Sequence, residues 1–263
     1  MRLDIYLHQY KNIKSRTLAA RLIKSGAVSI SGTIITDASH NIEIGSLDDH
    51  IMVAPANISK YVSRAGLKLE GALKHFSVLD TRFNPVDAVC LDIGSSTGGF
   101  TDCLLQHGAR EVFSVDVGTD QMDATLRQNP RVHLFEQTDI RNFVTTLRDK
   151  MPLQQPNISY VVIDVSFISL THIIPVLNSL ILEGVVARDM RGIFLIKPQF
   201  EVGAAHINKQ GVVTDEQVAR AACDAVAAIC IQYGFKVFDY IRSDITGGDG
   251  NTEYLIGVQS LEN

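Results

Sequence analysis

The sequence predicts an α/β protein: a seven-stranded, mostly parallel sheet with a terminal antiparallel hairpin, preceded by a small α+β unit. Three observations predict it. From about residue 60 onward, apolar runs that read as strands alternate with helical segments, the rhythm of a parallel sheet covered on both faces. The last two strands are joined only by "DITGGDGNT", too short for a helical crossover, so they are expected to be antiparallel neighbours. Residues 1–53 follow a different rhythm and carry a different charge.

In the first unit, "RLDIYLHQYK" sets Leu3, Tyr6 and Leu7 at helical spacing. Ser15 stands where it can cap "SRTLAARLIKSG", with Leu18, Leu22 and Ile23 as the apolar face and Gly26 as the stop. "AVSISGTIITDAS" alternates around a Ser-Gly turn and predicts a hairpin; "IEIGSLDDHIMVA" adds another strand. "APANIS", residues 54–59, reads as a linker, which divides the chain into domains over 1–59 and 60–263. In the second domain "AGLKLEGALKHF" is a helix. Strands are predicted over 87–93, 111–117, 132–137, 160–166, 192–198, 235–242 and 252–261, with helices over 98–107, 121–129, 141–150, 168–182 and 215–233. "YVVIDVSF" and "GIFLIKPQF" are nearly unbroken apolar runs, as buried parallel strands should be.

The composition, 46% hydrophobic and 20% charged over 263 residues, is that of a soluble globular protein. "IIPVLNSLILEGVVA" is shorter than a membrane span and contains Asn178. Asp4, His8 and Lys11 interrupt any apolar core of a signal peptide, so a cytoplasmic location without membrane attachment is expected. Cys90, Cys103, Cys223 and Cys230 are scattered without a CxxC pair and read as buried thiols rather than metal ligands; no metal is expected. The net charge of −5 conceals a segregation. Residues 1–30 hold six cations (Arg2, Lys11, Lys14, Arg16, Arg21 and Lys24) against Asp4 alone, a local +5 that leaves −10 for the remainder. A basic end on an acidic body suits a module that binds a polyanion, although a solvated helix face would look the same.

The stretch "CLDIGSSTGGFTD", residues 90–102, is a strand, a glycine-rich turn and a helix start. A dinucleotide turn needs G-x-G-x-x-G; here the positions are Gly94, Ser96 and Gly99, so the middle glycine is missing. A phosphate-binding Walker loop is excluded, because no Gly-Lys-Ser/Thr follows. What remains is Asp-x-Gly at a strand end, which fits S-adenosyl-L-methionine, a cofactor without phosphate. Asp92 would meet its ammonium, and backbone around Gly94, Ser95, Ser96, Gly98, Gly99 and Phe100 its carboxylate. Asp116, ending the next strand beside Val117, would accept from the ribose hydroxyls, and Asp139, beside Ile140, from the adenine amine. Each acid could instead cap a helix. The terminal hairpin agrees with a class I (Rossmann-like) methyltransferase fold.

The acceptor of the methyl group is read from four charges. Lys197 ends the apolar run "GIFLIK", and a buried lysine is usually paired or functional. Asp164 ends "VVID", Lys68 lies in "SRAGLKLEGAL" and Glu253 in "GNTEYL". The fourth strand lacks the Asn/Asp-Pro-Pro-Tyr/Phe tetrapeptide expected for methylation of a base amine, and Cys223 and Cys230 lie within a predicted helix rather than near a strand end, where carbon methylation would want a cysteine. A Lys–Asp–Lys–Glu cluster suits a sugar hydroxyl, with Lys197 as general base, Asp164 and Glu253 orienting, and Lys68 positioning ribose or phosphate.

With these motifs in order over nearly the whole chain, the sequence resembles a known family. "RLDIYL" and "SRTLAARLIKSGAVSISG" are similar to an S4 RNA-binding domain. "YVSRAGLKLEGAL", "LDIGSSTGGFTDCLLQHGA", "VVIDVSFISL", "LIKPQFE" and "NTEYLIG" resemble the TlyA (haemolysin A) type of ribosomal RNA 2′-O-methyltransferase, a relative of the FtsJ-like methyltransferases. The resemblance implies a cytidine 2′-hydroxyl of ribosomal RNA as acceptor, S-adenosyl-L-methionine as cofactor, and ribosomal RNA or ribosomal subunits as partner. It implies that Lys68, Asp164, Lys197 and Glu253 form the catalytic tetrad. In the S4 reading Arg2, Lys14, Arg16, Arg21 and Lys24 contact phosphates, with Arg64 extending that surface. Three rivals stand beside it: an RNA-binding adaptor with an inert methyltransferase fold, a membrane-active haemolysin, and a dinucleotide-dependent oxidoreductase. The sequence shows no amphipathic pore-forming or secretory segment for the second, and Ser96 disfavours the third.

Overall fold

The computed structural model describes residues 1–11, 13, 16–24, 26–42, 50–53, 60–151 and 156–261, without the side chains of residues 17 and 21. The chain divides into two units, Met1–Ala65 and Gly66–Asn263.

In the first unit, α1 (Leu3–Tyr10) and α2 (Arg16–Lys24) precede three short strands, β1 (Val28–Ile30), β2 (Thr33–Ile35) and β3 (Ile51–Val53). The strands form an antiparallel sheet in the order β2-β1-β3. The helical spacing read from the sequence is the buried face: Leu3, Tyr6, Leu7, Leu22 and Ile23 close over Val28 and Ile51. Ser31 and Gly32, at φ 49° and 81°, make the two-residue hairpin turn, whose twist requires positive φ at both positions. The expected Ser15 cap, Lys14, the 54–59 linker and residues 43–49 lie outside the described residues.

The second unit begins with α3 (Ala65–Leu79) and a 3-10 turn at Thr81–Phe83. Then come β4 (Val89–Ile93), α4 (Gly99–Gln106), β5 (Glu111–Val115), α5 (Ala124–Arg127), β6 (Val132–Phe135), a 3-10 turn at Ile140–Asn142 and α6 (Phe143–Lys150). β7 (Ile158–Ile163), α7 (Leu170–Leu182), β8 (Val186–Ile196), α8 (Pro198–Glu201), a 3-10 turn at Ala204–His206, α9 (Glu216–Gln232), β9 (Phe235–Arg242) and β10 (Tyr254–Ser260) complete it. The seven strands lie in the order β6-β5-β4-β7-β8-β10-β9. β4 through β8 pair in parallel, and β10 runs antiparallel between β8 and β9. Apolar residues of the strands, with α6, α7 and α9, form a continuous core.

Two elements differ from the sequence expectation. β8 starts at Val186 rather than residue 192, because charged residues in "VARDMR" hide a paired strand. One of them, Arg191, is 1% exposed: its Nε and Nη2 donate to Asp80 at 3.2 and 2.9 Å, and its Nη1 to the Asp189 carbonyl at 2.8 Å. α5 is a single turn: Asp123 accepts from the Thr125 N–H as its N-cap, and the helix starts three residues later than expected. All four cysteines are buried, and burial pushes the Cys223 and Cys230 thiols up to about 12. Among the described residues, no helix is long and apolar enough to cross a membrane.

Candidate active site

The parallel strands β4, β5 and β7 present their carboxyl ends along one edge of the sheet, where open α/β sheets bind ligands. The chain leaves β4 at Gly94, which has φ +85°; a Cβ there would stand 2.4 Å from the Asp164 carbonyl oxygen beyond β7. Only glycine allows the two strand ends to meet so closely. Beside this turn opens a pocket of about 840 Å³.

Of the residues expected to hold a cofactor, Gly94, Ser96, Asp116, Val117, Asp139 and Ile140 line that pocket. The structure sets the other five behind its wall: Asp92, Ser95, Gly98, Gly99 and Phe100 are buried. Asp92 is fully buried. Its Oδ2 accepts from Thr101 Oγ1 at 2.6 Å, Thr101 in turn meets Ser114, and its Oδ1 has no hydrogen-bond partner among the described residues. Burial pushes the Asp92 carboxyl up to about 7, against the opposing hydrogen bond from Thr101.

The pocket acids are held by backbone. Asp116 Oδ2 accepts from the Ser96 N–H at 2.8 Å and Oδ1 from the Gly118 N–H at 2.7 Å. Asp139 caps the 3-10 turn, accepting from the Arg141 N–H at 2.9 Å and Nε at 2.8 Å; hydrogen bonds from Arg141 hold its carboxyl below the usual range. Asp139 therefore does the capping work that a lone acid after a strand commonly does, while Asp116 braces two loops and caps no helix; both still face the pocket.

The four charges singled out in the sequence assemble as two ion pairs. Lys197 Nζ lies 2.7 Å from Asp164 Oδ1, off the hydrogen-bonding direction, and donates to Ser166 Oγ at 2.9 Å. Lys68 Nζ donates to Glu253 Oε2 across 185 residues of sequence. The pairs are neighbours through the sheet. Tyr254 faces Ile196 in the antiparallel register of β10 and β8, so Glu253 and Lys197 each stand one residue beyond that pair. Lys68, Lys197 and Glu253 are at most 9% exposed. Of the four, Asp164 lines the pocket and the other three lie behind it. Buried ion pairs contribute little net stability, because desolvation offsets their attraction; such a pair reaching a pocket through Asp164 points to chemistry. Asn251, 1% exposed, fixes the approach to Glu253: it accepts from the Val213 N–H and donates to the Gly211 carbonyl, each at 3.0 Å.

Several pocket residues had no signal in the sequence. Gln121 accepts from Ser96 Oγ at 3.0 Å and bridges the loops after β4 and β5. Phe167 would be read as core from its apolar neighbours, yet it has φ +64° and is 90% exposed, with its ring 5.1 Å from that of Phe200. A positive φ at a bulky residue is a turn signature that no single-sequence pattern reveals.

In the first unit, the expected basic surface is partly consumed by Asp4, the one acid of residues 1–30. Arg2 and Arg16 both donate to the buried Asp4, at 3.0 and 3.1 Å. Burial raises the Asp4 carboxyl, but these guanidinium contacts outweigh it and leave it lowered. Lys24 and Arg64 are exposed; Lys14 and the side chain of Arg21 lie outside the described residues.

The FtsJ-like methyltransferase family matches residues 61–260, and the S4 domain matches residues 1–48. A protein of Brachyspira hyodysenteriae named Hemolysin A is 38% identical, covering 97% of this chain and 98% of that protein. The 16S/23S rRNA (cytidine-2′-O)-methyltransferase TlyA of Mycobacterium tuberculosis is 34% identical, covering 98% and 90%. A solved structure described as a candidate hemolysin from Streptococcus thermophilus superposes with a TM-score of 0.72 at 33% identity, covering 100% of this chain and 89% of that one.

Proposed function

This chain belongs to the FtsJ-like methyltransferase family, and we propose that it transfers a methyl group from S-adenosyl-L-methionine to a cytidine 2′-hydroxyl of ribosomal RNA. The observation that carries this reading is the Lys197–Asp164 pair at the pocket rim with the Lys68–Glu253 pair beside it in register. The activity for which the Mycobacterium tuberculosis relative is named supports cytidine in ribosomal RNA as the acceptor. The S4 match supports RNA as the partner. Ribosomal subunits are the natural form of that substrate.

The pocket suits this cofactor. Asp116, Asp139 and Asp164 line it, and the N–H groups of Ser96 and Gly118, which could otherwise cradle a phosphate, are taken by Asp116. Such a site favours a cationic ligand over a dinucleotide. Asp116 and Asp139 would hold its nucleoside, with Val117 and Ile140 against the base. When bound, the cofactor supplies an electrophilic methyl group on sulfur. The remaining work belongs to the chain. Lys197, acting as the neutral amine, takes the proton from the attacking 2′-hydroxyl, Asp164 offsets the charge of the ammonium so formed, and Lys68, held by Glu253, fixes the ribose or its phosphate. Phe167 offers an exposed ring on which a base can stack at the same rim.

Transfer of tritiated methyl groups to ribosomal subunits from cells lacking the gene tests the reading. Wild-type protein is expected to label the RNA at ribose and Lys197→Ala not to. Equal labelling by both would defeat the assignment of Lys197, and no labelling by wild type would defeat the function.

A further inference from the structure

We propose that Ser166 and Glu201 are positioning residues for the methyl transfer, forming two rungs that clamp the segment after β7 onto the segment after β8; this rests on the function proposed above. The first rung is the bond from Lys197 Nζ to Ser166 Oγ at 2.9 Å. The second lies four residues further along each segment. Glu201 Oε1 accepts from the Leu170 N–H at 2.9 Å, and Oε2 accepts from Ser169 Oγ at 2.5 Å. Glu201 belongs to α8, which Lys197 precedes; Ser169 caps α7, which follows the Asp164 segment. Thus one carboxylate satisfies the opening of a helix that belongs to the other strand's connection.

Two further observations fit a clamp. Phe167 lies between the rungs at φ +64°, a conformation that persists only where the surroundings over-determine it. The Lys197–Asp164 contact is short but poorly aligned for a hydrogen bond, so that pair does not itself fix the ammonium's direction. The well-formed bond to Ser166 does. Ser166 lines the pocket and is exposed, so its own O–H remains available on the pocket side. Glu201 is half-buried, lies outside the pocket lining and serves the chemistry only through the two segments it joins.

The experiment uses the full chain, tritiated cofactor and ribosomal subunits from cells lacking the gene. Ser166→Ala is expected to lower kcat roughly ten-fold or more, the loss of one hydrogen bond to a charged group. The KM for subunits and the cofactor affinity by calorimetry should stay within about two-fold, and Ser166→Thr should recover most of the loss. Glu201→Ala should also lower kcat, with Glu201→Gln recovering it, because an amide can serve both partners. The double alanine variant should fall no further than the worse single one, as for members of one element. The proposal is overturned if Ser166→Ala retains wild-type kcat, if its loss appears in KM or cofactor affinity instead, or if the two effects multiply. Since Ser166 is exposed, its variant tests the clamp even if Glu201→Ala does not fold. If wild type transfers no label, the functional reading fails; if wild type and Ser166→Ala are equally active, only the clamp does.

Discussion

Asp116 and Asp164 each follow a parallel strand and line the same pocket, yet they are held in opposite ways. Asp116 sits on backbone N–H groups of Ser96 and Gly118. Asp164 sits on an ammonium that arrives from a separate strand, beside a second pair whose members are 185 residues apart. Backbone donors are present whatever the side chains, so the β4–β6 side is built from local turns and tolerates change. The β7–β10 side depends on four particular side chains, each of which leaves a buried charge unpaired if its partner goes.

The sharpest way to break this contrast is Lys197→Ala. It should cut methyl transfer by about 10²–10⁴, the range for a removed general base, while calorimetry shows the cofactor still binding. Loss of cofactor binding in this variant would mean that the two sides are one. Next, Glu253→Ala should strand the Lys68 ammonium and destabilise the fold by about 3–5 kcal/mol in denaturant titrations. The double change Lys68→Met, Glu253→Leu should recover that stability without recovering activity. Recovery of activity would assign the pair to structure alone. On the other side, Asp116→Ala should weaken cofactor affinity by roughly ten-fold and leave kcat at saturating cofactor near wild type. A collapse of kcat would place Asp116 with the reacting groups.

A smaller effect concerns Asp92. Its carboxyl stands at about 7 in the folded chain against an ordinary 3.8, through burial. Between about pH 4 and 7 the folded chain therefore holds a proton here that the unfolded chain has released, so stability falls as pH rises through that window. Denaturant titrations across the window should show the fall, and Asp92→Asn should flatten it; an unchanged slope would remove Asp92 as its source. The smallest effect is expected at Lys24→Ala, which should reduce the salt dependence of RNA affinity by less than one unit of log–log slope. An unaltered slope would take Lys24 off the RNA surface.

The same contrast explains what could be read in advance. The β4 turn, Asp116 and the final hairpin are local features, and strand-turn-helix spacing exposes them directly. Lys197 was legible because a lysine closing an apolar strand has few harmless explanations. Its pairing with Asp164, and Lys68 with Glu253, follows from register and strand order, which no local pattern encodes. Arg191 misled for a related reason. A charge inside a strand looks like its boundary until Asp80, 111 residues away, is seen to receive it. Phe167 and Ser166 were missed because a positive φ turns an apolar-looking segment outward. Of the six cations in residues 1–30, two are tied to Asp4, which no charge count reveals.

The close approach at Gly94 leaves no slack between β4 and β7, two neighbouring strands in the middle of the sheet. A single added carbon would press on the Asp164 carbonyl, so the loop that would receive the donor and the strand end that carries the acceptor machinery share one hinge pin. Displacing either must carry the other along. Any variant that loosens this joint should lose both functions together, however far its side chain lies from the transferred methyl group.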